Sequence, residues 1–217
     1  MHRPLSKQLW ITIIGLLLSL GIPQLPLGGW GGHLLGRSHL LGQEILWWAA
    51  IVVMFGWVLL VEKRRLASVG LKKPRIWDIV LAVILGILLV AGIVLIYTVI
   101  FPVLHLRMNA SAMTALLKTP FWYRLILVTR AAVSEELLFR GYPIERLLEL
   151  TRNRLVAGIV PWAAFTVAHP SFWGWAQLIV AGYGGLVLTV LYLWRRNLWA
   201  NMLAHWIADG SGFLMPR

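Results

Sequence analysis

The chain has 217 residues, 59% hydrophobic and only 13% charged, with a mean hydropathy of +0.78. Long apolar runs recur along its whole length, which excludes a soluble domain and predicts an all-α, polytopic transmembrane bundle. Cysteine is absent, so neither disulfides nor thiolate chemistry carries the fold or the function. The net charge of +12 does not mark a nucleic-acid binder, because most lysines and arginines sit in short loops between apolar runs, where they set topology.

Residues 1–7 are short and basic and precede an apolar run over 9–27. No small-x-small cleavage site follows it, so it reads as a retained first span rather than a removed signal. A glycine-rich loop over 28–43 carries Arg37. A second span covers 45–61, and the basic loop from Lys63 to Arg75 follows as the strongest topology signal in the sequence. A long third span runs over 76–101 and ends near Pro102. Residues 105–119 form a more polar connector, with room for a short interfacial helix. The fourth span, 121–140, holds two adjacent glutamates, and Gly141-Tyr142-Pro143 is expected to stop it. After a charged connector over 145–154, a fifth span covers 155–168 and ends at His169-Pro170. A sixth covers 172–194, where Gly182, Gly184 and Gly185 allow close helix approach, and a seventh covers 198–214. Inner segments would hold Arg3, Lys7, Lys63 to Arg75, Arg146 to Arg154 and Arg195-Arg196; outer loops would hold little beyond Arg37, Arg107 and Lys118. The positive-inside rule then puts the N-terminus in the cytoplasm and the C-terminus outside. Trp10, Trp30, Trp77, Trp122 and Trp194 fall at run ends, as interfacial belts do. The expectation is one integral-membrane domain over 1–217, with seven to eight spans.

Of the eight acids, Glu44, Glu62, Asp78, Glu145 and Glu149 fall at span ends or in connectors and ask for no explanation. Glu135, Glu136 and Asp209 lie inside apolar segments, as do His169 and His205. Ionisable groups at that depth are costly and usually face one another or a watery cavity. Glu136 and Arg140 are four apart and share a helical face, so Glu136 reads as held by Arg140. Glu135 points about 100° away and is left free to react. Asn201, His205 and Asp209 are spaced by four and line one face. Counting 1.5 Å per residue from the inner-side charges puts Glu135 roughly 10–15 Å deep, His205 roughly 15 Å and His169 roughly 20 Å. Arg124 and Arg130 read as snorkelling or pairing within the bundle.

No Gly-x-Ser-x-Gly elbow and no His-Glu-x-x-His occur, so serine hydrolases and standard zincins lack support. A carboxylate and two imidazoles in a low-dielectric cavity suit water activation, protonation of a leaving amine and stabilisation of an oxyanion, the set that amide hydrolysis needs. The same Glu135, His169 and His205 also suit a Zn²⁺ with one open position. The residues leave both open.

Glu135-Glu136-x-x-x-Arg140, then Phe165-x-x-x-His169, then His205-x-x-x-Asp209 resemble the three ordered motifs of the CAAX-prenyl-protease and bacteriocin-processing family of intramembrane endopeptidases. The resemblance covers the C-terminal half, with 120–215 as the core that carries the motifs. It implies a bundle of about eight helices with a cavity open to the membrane or to the inner side. It implies that Glu135 with His169 activates water while His205 and Asp209 stabilise the oxyanion; a metal-free, glutamate-dependent mechanism is the favoured reading, with Zn²⁺ on Glu135, His169 and His205 the alternative. Glu136, Arg140, Asn201 and Phe165 are the supporting residues. Membrane lipid and a membrane-anchored protein or peptide substrate are the implied partners, in the plasma membrane of a prokaryote. Asp209 departs from the asparagine associated with that last position. Since an ionised Asp cannot donate to an oxyanion, Asp209 would either stay protonated or orient His205, and Asn201, one turn before His205 on the same face, is the alternative donor. A non-catalytic immunity or partner-binding protein of the same fold is the competing function, and a proton-coupled transporter the third. Small size and the absence of inverted repeats weigh against the transporter.

Overall fold

A computed structural model of the chain describes residues 6–25 and 39–215. The expected belt residue Trp30, the charges Arg3 and Arg37 and the end of the first expected span lie outside the described residues. Helices account for nearly all of what is described: α1 (Lys7–Gly21), α2 (His39–Gly56), α3 (Ile76–Leu95), α4 (Ala110–Leu117), α5 (Phe121–Glu136), α6 (Tyr142–Thr151), α7 (Arg154–Ala168), α8 (Gln177–Arg195) and α9 (Leu198–Phe213). The protein is an all-α membrane bundle. By length and composition, Leu41–Val61, Ile76–Val103, Arg154–Trp173 and Gln177–Arg195 each suffice to cross a membrane. At 15 and 16 residues, α1 and α9 fall short of the roughly 20 that a straight crossing takes. The run from α5 to α6 is long enough, but its second half is charged.

The helix starts are written in the sequence. Ser6, Asn109, Asn153 and Asn197 each cap a first turn through a side-chain oxygen that accepts a backbone N–H. Two connections reuse one corner. Arg152 ends α6 and Arg196 ends α8, both in the left-handed conformation, and in each case the next residue is the asparagine that caps the following helix.

One expectation is overturned. Gly141-Tyr142-Pro143 does not stop the helix; the chain passes from α5 into α6 through a wide turn over Leu137–Gly141, where the N–H of Tyr142 donates to the carbonyl of Leu137 five residues back. A proline inside a helix lacks a donor and pushes against the carbonyl four residues before it. The widened turn just ahead of Pro143 relieves both, and Pro102 follows a similar turn over Ile96–Ile100. The turn frees backbone carbonyls, and distant hydroxyls satisfy them: Ser19 donates to Leu138 O at 2.6 Å and Tyr192 to Gly141 O at 3.4 Å. Helix α1 is thereby fastened to the centre of the bundle.

Around this turn lies the largest core cluster, with Met54, Val58, Leu137, Leu138, Phe139, Tyr142 and Ile144 all essentially inaccessible. Helix α9 packs against α3 and α5, α8 against α7, α6 against α7, and α2 against α5. Trp10, Trp77, Trp122 and Trp194 are all more than half exposed, as residues at a membrane interface would be.

A methyl group at Gly141 would come within 2.7 Å of the backbone carbonyl of Val69, which cannot swing aside. Gly141→Ala is therefore expected to cost about 1–3 kcal/mol, as overpacking does. A lowered thermal midpoint of the purified protein in detergent would register it, and an unchanged midpoint would show the backbone yielding there.

Candidate active site

Helix α5 brings Glu135 and Glu136 to the bundle centre on different faces, as the helical geometry predicts. Glu136 is completely buried and accepts from three directions: Arg140 Nη1 at 2.9 Å, His205 Nδ1 at 2.8 Å and Asn201 Nδ2 at 3.1 Å. Arg140, equally buried, spends Nη2 on the carbonyl of Gly185 at 3.3 Å and lays its guanidinium 4.1 Å from the ring centre of Phe165. Phe165 in turn packs edge-on against Phe139 and 4.3 Å from the ring of His169. Gly185 makes this possible, since a methyl group there would lie 2.8 Å from the Phe165 ring. Helices α5 and α9 are locked together through one carboxylate, and Arg140 and Asn201 tie α8 to them.

Glu135 faces the other way, into a cavity of about 650 Å³ whose walls also hold His169, His205, Asp209, Phe139 and Phe165. Its Oε2 lies 3.9 Å from His169 Nε2 and 3.8 Å from His205 Nε2. Those gaps exceed a hydrogen bond, and one water would bridge each of them. The second nitrogen of each ring is already engaged. His169 Nδ1 meets the carbonyl of Phe165 at 2.7 Å, which only a ring N–H can satisfy, so the Nε2 edge of the ring is the one turned toward Glu135. His205 Nδ1 donates to Glu136, and its Nε2 lies 3.4 Å from Asp209 Oδ2. The depth ordering drawn from the sequence brings these groups together as expected.

The amide of Asn201 does not point into the cavity with a free hydrogen. Both hydrogens of its amide are used, one on Glu136 and one on the Leu188 carbonyl at 2.7 Å, and it is buried away from the cavity. Its neighbours make it a brace for Glu136. Asp209 does reach the cavity, and it contacts His205.

The acids set aside in the sequence prove more ordered than their positions suggest. Glu44 is buried within α2 and forms a two-pronged pair with Arg130, which also lies over Trp47. Glu62 holds Arg146 and the Tyr142 hydroxyl; Asp78 holds Arg195; Glu145 holds Arg196 and the Tyr192 hydroxyl; Glu149 holds Arg64. They sit near helix ends but need partners, because each of the first four is almost wholly shielded from solvent. Six of the eight acids thus have an arginine. Among the described residues, Glu135 and Asp209 have only histidines at ion-pair distance, and both line the cavity.

A zinc site built on Glu135, His169 and His205 has the right outer contacts, a carbonyl and a carboxylate behind the two imidazoles. Its spacing does not fit. Tetrahedral ligands around zinc stand roughly 3.3 Å apart. The two carboxylate-to-imidazole separations are half an ångström wider, and no three His, Asp or Glu among the described residues close on one metal position.

The free and the locked glutamate should respond differently to substitution. Arg140→Met strands the Glu136 carboxylate in the interior and is expected to cost about 3–5 kcal/mol. Glu135→Gln, which strands no arginine and keeps a polar group toward the two histidines, is expected to stay within about 0.5 kcal/mol of the parent. Thermal unfolding of the two variants in one detergent checks this contrast, and equal losses would contradict it.

No curated protein and no solved structure matches the chain. The resemblance drawn from the three motifs is borne out over the stretch that holds Glu135, His169, His205 and Asp209: residues 117–211 match the family model described as type II CAAX prenyl endopeptidase Rce1-like.

Proposed function

We propose that the protein is an intramembrane endopeptidase that hydrolyses a peptide bond in a membrane-associated protein or peptide. The observation that carries this reading is the pairing pattern: the bundle neutralises six acids with arginine and leaves Glu135 and Asp209, beside two histidines, facing an apolar cavity. The family match over 117–211 supports the same class of reaction.

In this reading a water donates one hydrogen to Glu135 Oε2 and the other to the bare Nε2 of His169, which aims its oxygen lone pair into the cavity. As that oxygen attacks the substrate carbonyl carbon, Glu135 takes the water's proton. The carbonyl oxygen becomes an oxyanion, and the Nε2–H of His205 donates to it while Nδ1–H stays on Glu136. Collapse of the tetrahedral intermediate breaks the C–N bond, and Glu135 passes its proton to the departing amine. The products are a carboxylic acid and an amine, between which a proton then passes to leave carboxylate and ammonium, with Glu135 returned to its starting form. Asp209, in contact with Nε2, acts as a positioning residue for His205. Glu136, Arg140 and Asn201 fix the ring from behind. The separations around Glu135 favour a reaction without a resident metal, and the membrane itself supplies the substrate's anchor.

The test is cleavage of membrane-anchored peptides by the purified protein in lipid. Glu135→Gln is expected to lower the single-turnover rate by about 10²–10⁴-fold, the usual worth of a general base, while substrate binding persists. A strong chelator should leave the parent's rate unchanged. Loss of activity in chelator with recovery on Zn²⁺ would turn the same three side chains into ligands. Full activity in Glu135→Gln would end the proposal.

Asp209→Asn offers a narrower check. The amide keeps the contact with His205 and gains a hydrogen for the oxyanion, so activity is expected within about tenfold of the parent. Asp209→Ala should fall further, through kcat more than KM. An Asn variant as inactive as the Ala variant would show that the carboxylate charge itself is required.

A further inference from the structure

The cavity and the basic connectors occupy opposite ends of the bundle. Connectors 62–75, 152–154 and 195–197 join helix ends at one end and hold six, two and two lysines or arginines. At the other end, connectors 104–120 and 169–176 hold Arg107 and Lys118 alone. Such an asymmetry in short loops orients a helical membrane protein with the basic end inside.

The cavity belongs to the poorly charged end. Its walls include the exposed residues Leu25, Ser171 and Phe172 there. Toward the basic end it terminates on Phe139, Phe165 and Leu188, each at most 4% accessible. Behind that floor stands a second closed layer, in which Tyr142 and Arg146 are tied to Glu62 and Tyr192 to Glu145. All five of these side chains are buried. Neither water nor a peptide reaches Glu135 from the basic side without dismantling both layers.

From this we infer that the cavity opens on the outer side of the membrane, so that the peptide it takes is one presented outside the cytoplasm by a membrane anchor. The substrate half of this inference rests on the protease reading; the sidedness half does not. It departs from the opening to the membrane or to the inner side that the family resemblance implies. It also constrains the peptide's chemistry. Glu135 and Asp209 carry no arginine, and Arg130 in the wall is already paired with Glu44, so a neutral or apolar stretch suits the cavity better than an acidic one.

The chain contains no cysteine, so single-cysteine variants report without background. Ser171→Cys and Lys118→Cys mark the cavity end; Lys72→Cys and Arg65→Cys mark the basic end, and all four positions are exposed. A membrane-impermeant maleimide added to intact cells is expected to label the first two and to reach the second two only after permeabilisation. The reverse pattern overturns the inference. A second arm adds an impermeant, lipid-anchored neutral peptide to either face of sealed vesicles, with Glu135→Gln as control. Cleavage confined to right-side-out vesicles supports the substrate assignment, and cleavage confined to inverted vesicles overturns it. Correct labelling with no cleavage from either face would refute the protease reading while leaving the sidedness standing.

Discussion

The architecture depends on how charge is held inside an apolar bundle. Taking a carboxylate out of water costs several kcal/mol, and it persists there only when its oxygens are fully engaged. Glu136, on α5, meets that requirement with Arg140 from the turn after it and with His205 and Asn201 from α9. Arg140 extends the linkage to the α8 backbone and the Phe165 ring. The position of His205 relative to Glu135 is consequently fixed by a group that never meets the cavity. Precise placement of reacting groups by a buried second layer is what a preorganised hydrolytic site requires.

That economy makes the exceptions informative. When most acids in a membrane bundle are locked to arginine, those left with histidine alone mark where proton movement is tolerated. Glu135 and Asp209 sit on different helices, yet both reach the same cavity. The protein pairs Glu136 with an arginine and leaves Glu135, one residue earlier, with only histidines at ion-pair distance.

Much of the site was legible because an ionisable residue in an apolar run has few excuses. Glu135, Glu136, His169, His205 and Asp209 stand out on composition alone, and helical spacing told Glu136 from Glu135. Pairings across the chain were not legible. Glu44 finds Arg130 86 residues away and Glu62 finds Arg146 84 residues away. A glutamate near a span end looks the same in sequence whether it meets solvent or a partner on another helix. Asn201 misled for a related reason: its spacing puts it on the His205 face, but helix packing turns its amide onto Glu136 and α8. The continuation past Pro143 was hidden because local proline rules describe regular helix, and the chain there is not regular.

That irregular turn carries a consequence for how the long α5–α6 segment works as one piece. Hydrogen bonding five residues back admits one residue beyond the normal α spacing, which advances the downstream helical wheel by about 100°. A single continuous rod can then present Glu135 to the cavity and, two to three turns on, Glu145 and Arg146 to the polar clamp at the other end. In a regular helix those two faces would be out of phase with their partners. The extra residue therefore works as a phase adjuster, and the register of the segment across the membrane is set by counting residues as much as by their chemistry.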